Sequence, residues 1–156
     1  MSFERVGIIG DIHAEAVRLE AALHFLQKKN VECVLCVGDI VDGQGNVDRC
    51  CELLKQNNVI IVRGNHDRWF MEGSMRNLSE ATQQEDISEA SKNFIESLPA
   101  TQSLETTAGQ LLLCHGLSRC SEFLSYCVGL GLSLMGKETQ SGGTFQTDIP
   151  CLQLVT

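Results

Sequence analysis

No stretch of this 156-residue chain is apolar for long enough to span a bilayer, and residues 1–5 carry neither the basic nor the apolar region of a secretion signal. These absences predict a cytoplasmic protein with no membrane partner. Basic residues are scarce: 12 Lys and Arg stand against 20 Asp and Glu, a formal charge of −8. Such a surface repels nucleic-acid backbones, so nonspecific binding to them is not expected. A small phosphorylated substrate remains compatible, because bound metal ions reverse the local field. No internal repeat and no Pro- or Ser-rich linker interrupts the chain, whose length suits one compact domain with a hydrophobic core. A Gly-x-Gly-x-x-Gly run is also missing. Val6-Gly7-Ile8-Ile9-Gly10-Asp11 lacks that spacing, which argues against a Rossmann nucleotide site. Histidine is the last scarcity, with residues at 13, 24, 66 and 115 and none beyond.

Cysteine, by contrast, is abundant, with eight residues. Cys33 and Cys36 form a Cys-x-x-Cys pair inside the strand-like run 31–37, where residues three apart face opposite sides and cannot chelate one ion. Cys50-Cys51 are neighbours on a predicted helix and chelate no better. In a reducing compartment these thiols are expected to behave as small buried hydrophobes.

The apolar pattern predicts a strand at 5–9, then a helix over 14–29 with apolar residues at 16, 19, 23 and 26. Lys28 and Lys29 suit that helix's negative end, and Asn30 closes it. A second strand at 31–37, a helix at 48–56 with an exit turn at Asn57-Asn58, and a β-branched strand at 59–62 follow. This alternation predicts parallel strands with crossover helices. Residues 68–97 are polar and helix-prone, most clearly over 86–97, and Leu98-Pro99 ends that helix. Two strands, 101–105 and 110–114, are joined by a turn containing Gly109. From about Leu117 the composition changes: residues 118–156 hold five charged side chains among 39, with poor periodicity.

Four of the apolar runs end in metal-capable side chains: Gly10-Asp11-Ile12-His13, Gly38-Asp39-Ile40-Val41-Asp42-Gly43, Arg63-Gly64-Asn65-His66-Asp67 and His115-Gly116. The carboxyl ends of parallel strands form the binding crevice of open α/β sheets. Asp11 and His13, two apart in an extended segment, share a face. Gly38, Gly64 and Gly116 flank ligand candidates and permit close backbone approach. Mixed Asp, Asn and His donors suit borderline divalent ions such as Mn, Fe, Co, Ni or Zn. Taken singly, Asp11 reads equally well as a helix N-cap and Gly-Asp-x-x-Asp as a turn. Gly-Asn-His-Asp after a β-branched strand is stronger, since a turn has no need of histidine. His24 reads as packed or solvated. Trp69-Phe70 reads as core along the flank of the site, with substrate stacking as the other reading.

Through these residues the chain resembles the calcineurin-like metallophosphoesterase family, in its bacterial phosphodiesterase and diadenosine tetraphosphatase-like branch, over about residues 5–117. The resemblance implies an α/β fold, a β-sandwich flanked by helices in αββα layers. Residues 1–117 would form the core, and 118–156 an atypical tail of the same domain with incomplete C-terminal strands. It implies two divalent metal ions: Asp11 and His13 would bind one, Asp39 would bridge both, and Asn65 and His115 would bind the second. His66 matches the family's proton donor to the leaving oxygen, and Asp42 the acid that orients it. The implied activity is hydrolysis of a phosphomonoester, phosphodiester or dinucleoside polyphosphate by a metal-bridging hydroxide. Two departures stand out. Gly43 replaces the phosphate-binding arginine of the protein-phosphatase branch, and the family's closing Gly-His-x-His motif is missing, which leaves the second metal site weak or incomplete. Asp148 or a tail cysteine is a candidate substitute, and a truncated or frame-shifted end is another explanation. The missing histidines also suit an alternative, a non-catalytic protein-interaction module on the same fold.

Overall fold

The computed structural model describes residues 2–116 and the backbone of three short segments, 127–128, 132–134 and 152–155. Strand β1 (Val6–Ile9) is buried along its whole length, as a parallel strand covered on both faces must be. It pairs in parallel with β2 (Cys33–Cys36), Val6 opposite Cys33 and Ile9 opposite Cys36, and β2 pairs in parallel with the short β3 (Ile60–Ile61). Helix α1 (Ala16–Lys28) makes the first crossover and buries Leu19, Leu23 and Leu26, one stripe at helical spacing. Its close seat on the sheet depends on Gly7, where a Cβ would press 2.8 Å from a Leu26 methyl. Asn30, at φ 53°, turns the chain out of the helix in the left-handed conformation that Asn tolerates. Helix α2 (Val47–Gln56) makes the second crossover. Asn46 caps its start by accepting from the Arg49 amide, and Asn58, at φ 51°, lies in its exit turn.

The segment expected only to be polar and helix-prone begins with a helix of its own, α3 (Asn65–Glu72), directly after β3 and Gly64. A 3-10 turn (Gln84–Asp86) and α4 (Glu89–Ser97) follow. An antiparallel hairpin of β4 (Thr101–Thr106) and β5 (Gly109–Cys114) then builds a second sheet, turning at Gly109 with φ 125°.

The two sheets and the helices enclose two cores. Val6, Ile8, Cys33, Leu35, Val37 and Val62 meet Leu104, Leu111 and Leu113 between the sheets. Ile9, Cys36 and Ile61 meet residues of all four helices on the other side of the first sheet. Cys33 and Cys36 thus lie on opposite faces of β2, as their spacing predicts, and Cys50 and Cys51 are both buried on α2. The order is helix, sheet, sheet, and no helix of a fourth layer lies among the described residues.

Three further strands extend the sheets. β6 (Cys127–Val128) pairs with β7 (Leu132–Leu134), β7 pairs antiparallel with β5, and β8 (Leu152–Val155) pairs in parallel with β1. The polar stretch 137–147 and the substitute ligand Asp148 lie outside the described residues. No helix among the described residues is long and apolar enough to cross a membrane.

Candidate metal and catalytic site

All the strand-end residues singled out in the sequence lie at one edge of the sandwich, where the loops after β1, β2 and β3 interlock. The amides of Ile12 and His13 donate to the Asp39 carbonyl oxygen at 3.0 and 2.8 Å, and that of Ala14 to Ile40 at 2.8 Å. The chain is not extended here. His13, Ala14, Asp39 and Asp42 have φ of 44°, 61°, 51° and 65°, a left-handed region that costs energy outside glycine. Asp11 and His13 therefore do not share a strand face. Asp11 does not cap α1 either, since the residue at that N-cap is Glu15.

Asp67 supports this arrangement. It is fully buried, and its carboxylate accepts from the amides of Gly64 at 3.0 Å, Asp39 at 2.9 Å and Ile40 at 2.8 Å. One side chain thus ties the β3 loop to the β2 loop. Burial pushes its carboxyl above the ordinary carboxylate range, against the pull of those backbone donors. The close approach also needs Gly38 and Gly64. A Cβ on Gly38 would collide with the Gly64 amide, and one on Gly64 with the Asp39 carboxylate. Gly116 differs, since a Cβ there would meet nothing within 4 Å among the described residues.

Two sets of donor atoms result, each with its atoms within 4.8 Å of one another: His13, Asp39 and His66 in one, Asp11, Asp39 and His115 in the other. Asp39, 3% exposed, belongs to both. The structure therefore brings Asp11 beside His115, and His13 beside His66. Asn65 joins the second set, with its Oδ1 2.8 Å from His115 Nε2.

The donor chemistry fits cations. His115 Nδ1 lies 2.8 Å from the Val37 carbonyl oxygen, which can only accept, so Nδ1 carries the proton. Nε2 then directs a lone pair at Asn65 Oδ1, and lies 3.3 Å from Asp39 Oδ2. A lone pair facing two acceptor oxygens is repelled unless a positive charge lies among them. His13 Nδ1 similarly faces the carbonyl oxygens of Val41 and Asp42 at 3.1 and 2.9 Å, which leaves Nε2 as its ligand atom.

His66 is held differently. Its amide donates to Asp39 Oδ1 at 2.9 Å, and its Nδ1 lies 2.8 Å from Asp42 Oδ2. Its ring meets that of His13 edge-on at 4.9 Å and that of Trp69 at 4.8 Å. Phe70 is the core residue of the Trp69-Phe70 pair, and Trp69 is the one that flanks the site. Asp42 is almost fully buried. Burial works to raise its carboxyl, but hydrogen bonds from Arg76, His66 and the Thr82 amide outweigh it and hold the group below the ordinary range. Gly43 has no room for a side chain, because a Cβ would overlap the His13 carbonyl oxygen. Arg76 and Thr82 were not foreseen from the sequence. They lie in a polar segment without periodicity, and no spacing links them to Asp42.

The chain belongs to the calcineurin-like phosphoesterase family, which it matches over residues 4–141. It is 36% identical over 62 residues to an uncharacterized protein of Methanocaldococcus jannaschii, a stretch covering 40% of this chain and 26% of that protein. It also resembles the crystal structure of a metallophosphoesterase from Sphaerobacter thermophilus, with a TM-score of 0.51 and 28% identity over 65% of this chain and 44% of that one. The chain thus spans less than half the length of each of these relatives.

Proposed function

We propose that this chain is a metal-dependent phosphoesterase acting on a small phosphorylated substrate: a phosphomonoester, phosphodiester or dinucleoside polyphosphate. The observation that carries this reading is Asp39, buried and common to both donor sets, with the His66 imidazole beside it on Asp42. Asp11, His13, Asp39, Asn65 and His115 would hold two divalent cations of the Mn, Fe, Co, Ni or Zn type. When bound, such ions supply an activated water as nucleophile and neutralise charge on the phosphate oxygens. The protein's own part is to fix the donors before substrate arrives. Asp42 holds His66 through Nδ1, so that Nε2 is the atom able to deliver a proton to the departing oxygen.

The test is a substrate panel with several divalent metals. Asp39→Asn should abolish turnover and Mn²⁺ binding by calorimetry, because two cations without a bridging charge repel each other. His66→Gln should slow alkyl esters by about a hundredfold or more and nitrophenyl esters much less, since a good leaving group needs no acid. Equal losses on both esters would remove His66 from that role. A chain that neither binds Mn²⁺ nor hydrolyses any ester would instead suit the interaction module.

A further inference from the structure

The loop after α3 turns its apolar side chains outward and its cation inward. Met75 is 48% and Leu78 38% exposed, whereas the Arg76 side chain between them is only 14% exposed. Burial of apolar surface alone would favour the reverse arrangement. Met75 moreover holds φ at 53°, a conformation that a bulky residue seldom adopts. Arg76 offsets these penalties through its contacts. Nη1 and Nη2 donate to Asp42 Oδ1 and Oδ2 at 2.8 and 2.9 Å, a two-pronged pairing with one carboxylate. Nε donates to the Ser74 carbonyl at 2.8 Å, and Nη1 also to the Thr82 carbonyl at 3.0 Å. Thr82 completes the enclosure: its amide donates to Asp42 Oδ1, and its hydroxyl accepts from the Asp42 amide.

We propose that Arg76 is a positioning residue for the leaving-group acid. It fastens the Asp42 carboxylate to the 74–82 loop in the orientation that keeps Oδ2 on His66 Nδ1. The proposal rests on the reading of His66 given above. Lysine cannot reproduce it, because an ammonium cannot grip both carboxylate oxygens in a plane while bonding two carbonyls.

Two measurements test it. The first needs no turnover: nitrogen-edited NMR of the His66 ring in the metal-free protein. Wild-type protein should show a protonated Nδ1 with a strongly deshielded proton from its bond to Asp42. Arg76→Gln should lose that signal, and Arg76→Lys should retain it in part. An unchanged His66 signal in a folded Arg76→Gln protein overturns the proposal. The second is a double-substitution cycle in kinetics. Arg76→Gln should lower kcat on an alkyl phosphoester by about tenfold or more, a fraction of what general-acid catalysis is worth, with KM and nitrophenyl ester turnover within about threefold. In a His66→Gln background it should cost nothing further. Equal losses on both esters, or a full further loss without His66, would give Arg76 a merely structural role. If His66→Gln itself fails to separate the two esters while the NMR signal behaves as expected, the acid assignment fails and Arg76 still positions the pair.

Discussion

Asp67 decides more of the site than its place in the motif suggests. It lies outside both donor sets, yet it accepts from the amides of the two loops that carry Asp39 and Asn65. Two effects compete in Asp67→Asn. The neutral amide avoids the cost of burying a charge, which favours the variant. Its NH₂, however, would face backbone amides already aimed at that position, leaving at least one buried donor unpaired. Three donors at 2.8 to 3.0 Å make the second effect the larger. Asp67→Asn should therefore destabilise the fold by about 1–3 kcal/mol, read from urea unfolding, and weaken Mn²⁺ binding in parallel. An unchanged urea midpoint would contradict the clamp. At this scale the ligand candidates were legible, because Asp, Asn and His at strand ends carry their chemistry in their identity. Asp67, Arg76 and Thr82 were not, because what they do depends on partners 27 to 40 residues away in the β2 loop.

Among the elements, the apolar runs announced the first two strands and α1 to within a few residues, since those elements are buried by apolar contacts alone. Helix α3 was concealed for the opposite reason. Its buried positions are Asp67 and Phe70, so half of its inward face is a carboxylate that reads as polar. The segments at 127–128, 132–134 and 152–155 were illegible too: each is short, and all lie where few charges mark an outward face. The joint between elements gives a further prediction. Gly38 lies two residues past β2 at φ 98°, and a methyl there would strike the backbone at Gly64. Neither strain can relax without separating the β2 loop from α3, because the contact is backbone on backbone. Gly38→Ala should cost about 2 kcal/mol or more and lower metal affinity. Gly116→Ala, where a Cβ meets nothing within 4 Å among the described residues, should leave stability nearly unchanged, and the pair of urea midpoints makes the comparison.

At the scale of the molecule, β2 contributes to both cores, and its cysteines report on them separately. Cys33 faces the space between the sheets, and Cys36 the helical side with Cys50 and Cys51. Burial pushes all four thiols up from the ordinary 9.0, Cys33 and Cys51 to about 11, Cys36 and Cys50 to about 12. The consequence for stability has a definite sign. Between pH 9 and about 11 the unfolded chain releases these protons and the folded chain keeps them, so the unfolded state binds fewer and stability falls as pH rises. Urea midpoints should thus hold steady below pH 8 and decline steeply by pH 10, with Cys36→Ala flattening the decline. If the two cores, built on the same strands, unfold as one cooperative unit, Cys33 and Cys36 become reactive together. Peptide-resolved iodoacetamide labelling at pH 8, across a urea series, should give the four thiols one common midpoint. A distinctly lower midpoint for Cys33 would mean that the second sheet parts from the first while the helices stay docked. In that event the β4–β5 hairpin, and with it His115, would leave the site before the loops that carry Asp39 and His66 come apart.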